Sequence, residues 1–388
     1  MVHNPFAQPD AHDQRRNAGL VLDHARGRGT ALNPANRFKP IALTLDGETL
    51  DDDLREHPSG VQVRTHVYHD DSRSVLTSND SPDIPFTWSL NPYRGCEHGC
   101  IYCYARPGHE FLEMSCGIDF ETRIMAKSDA PDLLRRELCK PFWVKPCGAV
   151  EPITMSGVTD PYQPLERKLK ITRRCLEVMA EFKQPVGIIT KNALVTRDKD
   201  VLGAMAKNAG GNGPLARVTL SITSLDPRTA MVMEPRASTP KDRLRAVREL
   251  TDAGVEVSVM TAPIIPGIND HEIPALLRAV KDAGATNAGY VLLRLPWQIK
   301  TLFLEWLTRH FPDRAARVES LIRQSRGGKL YDAGWGERMS GTGPIADTIS
   351  ATFKLFCANA GLNKRDRGGL DTRSFKAPHD RKGQMSLF

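Results

Sequence analysis

The 388-residue chain predicts an α/β fold in which parallel strands, covered by helices, close or nearly close into a barrel. Apolar runs fall at "IPFTWSL", "IDFETRIM", "EPITMSGV", "VGIIT", "ARVTLSI", "VEVSVMTAPI" and "GYVLLRL". Segments of helical period separate most of them, and short links between such units suit strand–helix–strand crossovers. No GxGxxG stands at a strand-to-helix turn, and "NAGGNGP" at 208–214 precedes a strand as a plain loop, which argues against a doubly wound nucleotide fold.

Taken in order, residues 1–82 are polar, with "VQVRTHVY" the one strand-like stretch, and read as a partly ordered extension. Residues 83–298 hold the barrel units. Over 164–182, Leu165, Leu169, Thr172, Leu176, Met179 and Phe182 recur at helical spacing and predict one helix. In "STPKDRLRAVRELTDAG", Thr239 suits the N-cap, Pro240 the first turn, Asp242 the capping box and Gly254 the position past the end. Residues 299–388 begin with an amphipathic helix burying Leu302, Phe303, Trp306 and Leu307, followed by a Gly- and Arg-rich flexible basic tail.

Composition narrows the class. With 40% hydrophobic and 26% charged residues, the chain can bury a core. No run approaches the roughly 18 apolar residues of a membrane span, and the first residues lack an apolar signal core, so a cytoplasmic protein is expected. Thiols stay reduced there, so clustered cysteines point to metal or redox chemistry rather than disulfides. A formal charge of +7 permits a polyanionic partner, and "DHARGRGT" and "RQSRGGK" offer phosphate contacts.

The chemistry concentrates in "SLNPYRGCEHGCIYCYARP". Cys96, Cys100 and Cys103 are spaced C-x3-C-x2-C, directly after a barrel strand. Catalytic groups of such barrels lie at strand C-termini. A structural zinc site needs a fourth ligand, available from His98, His109 or Cys116. A ferredoxin-type cluster needs four cysteines, and no suitable fourth stands nearby. Three thiolates suffice for a [4Fe–4S] cluster that leaves one iron open to a substrate or cofactor. Gly95 and Gly99 mark a closely wrapped loop.

This motif, with Tyr102 before the last cysteine, resembles that of the radical S-adenosylmethionine (SAM) enzymes. The stretches "NPYRGCEHGCIYCYAR", "SGVTDPYQPLE", "MEPRASTPKDRL", "APIIPGINDHE" and "RGGKLYDAGWGERMSGTGP" are similar to the spore photoproduct lyase-like, or DNA repair photolyase-like, branch. The resemblance implies a partial (β/α) TIM-like barrel, a cluster held by Cys96, Cys100 and Cys103, and SAM chelated at the open iron. It also implies SAM cleavage to a 5′-deoxyadenosyl radical, and an electron donor such as flavodoxin or ferredoxin. Cofactor contacts are expected from Tyr102, Thr159, Asp160, Gln163, Ser221, Thr223, Arg243 and Ile265, with Glu166 a weaker candidate.

The lyase uses a cysteine as hydrogen donor, and Cys116 and Cys147 are the candidates here. Cys139 and Cys175 fall in helical segments and read as core. Glu234 and Arg236 suggest an internal ion pair. At the far end, "QMSLF" resembles the peptide with which repair proteins dock on the DNA sliding clamp, Gln384 giving specificity and Leu387 and Phe388 anchoring. The favoured function is radical SAM chemistry on damaged or modified nucleic acid, DNA above all. The alternatives are the same chemistry on RNA or protein, and a non-catalytic metal-bearing nucleic-acid adaptor.

Overall fold

A computed structural model describes residues 20–21, 27–39, 63–208, 210–364 and 368–377. Twelve strands are present among them: β1 (Leu20–Val21), β2 (Leu32–Asn33), β3 (His66–His69), β4 (Leu76–Ser78), β5 (Trp88–Leu90), β6 (Tyr93–Arg94), β7 (Arg123–Ala126), β8 (Ile153–Met155), β9 (Val186–Thr190), β10 (Ala216–Ser221), β11 (Glu256–Ile264) and β12 (Asn287–Leu292). The main sheet has seven strands in the order β12-β11-β10-β9-β8-β5-β4. All its pairings are parallel except β4 with β5. Helices follow the parallel strands and pack on them, giving a partial (β/α) barrel. Every parallel strand therefore ends on the same side.

Alternation along β9 buries Val186, Ile188 and Thr190 and leaves Gly187 and Ile189 half-buried. The strand side chains merge with helix residues such as Leu176, Met179, Val247, Leu250 and Leu277 into one core. The Pro240–Asp252 helix starts as expected, with Thr239 Oγ1 accepting from the Asp242 N–H at 3.2 Å. It ends at Ala253, and Gly254 follows at φ +86°. Trp306 is fully buried with Leu302, Phe303 and Leu307, its Nε1 donating to the Val232 carbonyl at 2.9 Å. Among the described residues no helix is long and apolar enough to cross a membrane.

Four expectations need correcting. The "IDFETRIM" run does not join the barrel. It forms a helical turn, Asp119–Thr122, and then β7, which lies between β3 and β6 in a separate three-stranded sheet. The helix expected over 164–182 breaks at Lys170, which is left-handed at φ 52°, into Glu166–Leu169 and Ile171–Glu181. The Glu166 carboxylate accepts from the Thr172 N–H at 3.1 Å and so caps the second piece. The boundary near residue 82 falls inside the fold, because β4 is the main sheet's edge and Arg28 to Leu32 are buried. Past the last helix, Pro344–Asn359, residues 368–377 are also packed: the Val150 N–H donates to the Thr372 carbonyl at 2.9 Å, and Phe375 meets Phe182.

Candidate active site at the strand C-termini

The cysteine loop leaves the C-terminal end of β5, turns through β6 and returns across the barrel mouth. Two glycines make the path possible. Gly95 has φ +81° and Gly99 φ +68°, and a side chain at Gly99 would strike the Glu121 carboxylate at 2.7 Å. The N-terminal segment presses on the same spot, since a Cβ at Gly29 would fall 1.6 Å from the Gly99 carbonyl oxygen. Glu121 holds both pieces, accepting from the Gly29 N–H at 2.9 Å and from Arg106 Nη2 at 2.6 Å. Arg106, fully buried, also donates to the Cys100 carbonyl at 3.0 Å. Arg28, expected on a phosphate, is buried instead and donates to the carbonyls of Glu121 and Val63.

Cys96 and Cys100 are buried and Cys103 half-buried. Burial pushes all three thiols up, and for Cys96 and Cys100 the neighbouring sulfurs and the carboxylates of Asp160 and Glu234 push the same way. The backbone N–H of His98 favours a charged sulfur at Cys96, and those of Ala105 and Arg106 do so at Cys103. Three mutually interacting sulfurs in a dry loop with amides aimed at them fit an iron–sulfur cluster, whose cationic irons make the thiolates. Among the described residues no three His, Cys, Asp or Glu side chains converge to hold a single metal ion.

Two polar networks frame the loop. In the first, Thr159 Oγ1 donates to the Gly95 carbonyl at 2.7 Å, and Gln163 Oε1 accepts from the Glu97 N–H at 2.9 Å. Asp160 accepts from Thr190 Oγ1 at 2.7 Å and the Lys191 N–H at 2.8 Å, and lies 3.3 Å from His98 Nδ1. These three expected cofactor contacts thus anchor the loop to the ends of β8 and β9. Glu166 lies deeper, bonded by the Tyr93 hydroxyl and, at 2.8 Å, by Arg197.

The second network centres on Glu234, fully buried. Its carboxylate accepts from the Tyr102 and Thr223 hydroxyls, pairs with Arg243, and lies 3.1 Å from Lys191 Nζ. Burial would raise this carboxyl, but Arg243 and then Lys191 hold it well below the usual range. Arg243 also donates to the Ser221 carbonyl at 2.9 Å, and Lys191 to Ser221 Oγ at 2.7 Å. Glu234 is therefore paired with Arg243 rather than Arg236, which pairs with Glu97 at 3.2 Å. Ile265 is buried in an apolar cluster with Cys100, Tyr102, Leu293 and Leu295, and Asn269 Oδ1 fixes its N–H at 2.7 Å.

Lys191 and the hub role of Glu234 escaped the sequence reading. A lysine immediately after the strand "VGIIT" was the available signal, since that position faces the mouth. Cys116 joins the same apolar cluster, its thiol bonded to Gln298 Oε1 at 3.2 Å. Cys147 does not join it. It is exposed in the Lys145–Gly148 turn ahead of β8, at the opposite end of the sheet. Cys139 is exposed rather than core, whereas Cys175 is buried. Of the zinc-ligand candidates, His98 Nε2 bonds Asn192 at 3.1 Å, and burial lowers the His109 pKa to about 4. Gln384, Leu387 and Phe388 lie outside the described residues.

Residues 90–280 match the sequence model of the Radical SAM superfamily. An uncharacterized protein of Mycobacterium tuberculosis is 32% identical over 243 residues, 62% of this chain and 68% of that protein. The radical SAM Nalpha-GlyT isomerase of Pseudomonas phage M6 is 22% identical over 264 residues, 67% of this chain and 51% of the isomerase. Spore photoproduct lyase complexed with a dinucleoside spore photoproduct superposes with a TM-score of 0.54 at 16% identity, covering 76% of this chain and 80% of the lyase, a likeness of fold. The chain belongs to the radical SAM superfamily. Its cofactors are the [4Fe–4S] cluster and SAM of that superfamily, and Cys96, Cys100 and Cys103 have the spacing and setting to hold the cluster.

Proposed function

We propose that this chain is a radical SAM enzyme acting on a damaged or modified nucleic acid, with DNA favoured. The observation that carries the reading is the three-cysteine loop at the strand C-termini, in a fold shared with a lyase solved with a dinucleoside photoproduct. When bound, the cluster would supply one electron to the SAM sulfonium, whose C–S bond would break to release methionine and a 5′-deoxyadenosyl radical able to take a hydrogen atom from the substrate. The protein's part is binding and exclusion. Cys96, Cys100 and Cys103 hold the cluster, while Thr159, Asp160 and Gln163 keep the loop rigid by bonding its backbone and His98. Lys191 adds a positive charge at the end of β9, its ammonium held by Glu234, Ser221 Oγ and the Ala262 carbonyl. Arg243, bonded to Glu234 and to the Ser221 and Ser238 carbonyls, fixes Ser221 beside that lysine, while Thr223 is held by Glu234. Ile265, Leu293 and Leu295 keep water from the mouth.

The test is anaerobic. The reconstituted protein, with dithionite and SAM, is assayed for 5′-deoxyadenosine alone, with UV-irradiated DNA, and with RNA. Yield raised by irradiated DNA supports the reading; yield indifferent to every nucleic acid overturns the substrate class and leaves the radical chemistry. The phage relative's name favours a second reading of reaction type, rearrangement instead of bond scission. A product of unchanged mass would distinguish it.

A further inference from the structure

Two buried arginines at the mouth face a carboxylate: Arg106 has Glu121 at 2.6 Å, and Arg243 has Glu234. Half-buried Arg294 and buried Arg326, beside the mouth, do not. Arg294 follows β12, and among the described residues no carboxylate lies within ion-pair distance of it. Its Nε is buried without a partner, and its Nη1 reaches only the Met339 sulfur at 3.5 Å, a weak acceptor. Its guanidinium lies over the Tyr104 ring, 5.2 Å from the centroid. Tyr104 is the residue after Cys103, half exposed, and its hydroxyl donates to the Gly157 carbonyl at 2.8 Å.

Arg326 stands behind it at 2% exposure. It donates to three carbonyls, those of Glu337 at 3.0 Å, Leu292 at 3.3 Å and Leu293 at 2.8 Å, and its Nε is also unpartnered. Burial lowers its pKa to about 10, and repulsion from Arg294 contributes. Tyr331 and then Asp332 pull the other way, but Asp332 is on the surface and paired with Lys329 at 3.1 Å. Neither guanidinium has a carboxylate partner among the described residues, and an anion at Arg294 would offset their mutual repulsion. A guanidinium fork matches a phosphate.

We propose that Arg294, backed by Arg326, forms a phosphate-binding subsite on the rim of the mouth that takes the sugar–phosphate backbone of the substrate. This rests on the nucleic-acid reading above. A phosphate held there sets the attached nucleotide beside Tyr104, one residue from a cluster ligand.

The test uses the full-length reconstituted protein and a fluorescein-labelled single-stranded oligonucleotide, with anisotropy titrations at several salt concentrations. Arg294→Gln should weaken binding by about fivefold or more and reduce the slope of log K against log salt by about 0.7. Arg294→Lys should keep most of the slope. SAM affinity, from equilibrium dialysis, and the denaturation midpoint should stay as in wild type. Unchanged oligonucleotide affinity and slope in Arg294→Gln would overturn the proposal. So would a selective loss of SAM binding, which would assign the pair to the cofactor carboxylate. Inorganic pyrophosphate separates the two claims. If wild type binds pyrophosphate through Arg294 but no oligonucleotide, the subsite stands and the nucleic-acid reading falls. If it binds neither, both fall.

Discussion

The two ends of the main sheet bury polar groups in different ways. At the N-terminal end, residues 368–377 are held by backbone hydrogen bonds and one carboxylate. Asp371 accepts from Asn208 Nδ2 at 2.9 Å and from the N–H groups of Asn212 at 3.0 Å and Arg373 at 2.9 Å. No cation is needed, because aligned N–H groups stabilise the charge. At the C-terminal end, buried carboxylates meet cations: Glu234 with Arg243 and Lys191, and Glu121 with Arg106. The first arrangement closes a surface. The second puts desolvated charge around a loop of thiols, which stability alone seldom favours, and so marks the working end.

The sharpest break in this contrast is at the thiols themselves. Cys100→Ala should abolish four-iron loading and 5′-deoxyadenosine formation, while Cys147→Ala, at the other end, should leave both at wild-type levels; iron analysis and product chromatography decide. Next comes stability. Glu234→Gln leaves Arg243 and Lys191 without their anion and should cost about 3–5 kcal/mol in denaturant unfolding. Asp371→Asn, which removes only acceptors for N–H groups, should cost ~1–3 kcal/mol. Equal losses would dissolve the distinction.

Acidity probes the same asymmetry. His109 is buried, its pKa is lowered to about 4, and its Nε2 has no partner among the described residues. The unfolded chain takes up this proton near pH 6.5 and the folded chain only near 4. Stability due to His109 is therefore full above about pH 6.5 and declines as pH falls toward 4, by about 2–3 kcal/mol. His109→Gln should flatten that limb in melts run between pH 7 and 4.5. Glu234 acts lower: its contribution is complete above the ordinary carboxylate range, about pH 4.3, and is lost as pH falls from there toward its depressed folded value. The smallest effect expected is from the tail. Deleting residues 384–388 should leave 5′-deoxyadenosine yield unchanged and remove binding to the sliding clamp in a pull-down. Clamp binding that survives the deletion would discard the docking motif.

Much of this was legible in the sequence because it is written locally. The parallel strands are contiguous apolar runs, the Thr239 cap and its helix are adjacent residues, and the three cysteines of the loop stand within eight residues. What escaped depends on long-range pairing. Nothing near Ile124 says that its strand pairs with Val67 instead of entering the barrel. The period of 164–182 cannot reveal a left-handed Lys170. Glu234 became a hub only when folding brought Tyr102, Lys191 and Arg243 to one carboxylate. Cys147 was readable in principle, since a residue ahead of a strand lies at the end away from the mouth.

The most direct test of the central claim is electron paramagnetic resonance of the anaerobically reconstituted, dithionite-reduced protein before and after addition of SAM. A reduced-cluster signal that changes on adding SAM, and that is absent from Cys100→Ala, is the result this account predicts. A fully loaded cluster whose signal ignores SAM would contradict it, because three thiolates would then be leaving no iron open to the cofactor.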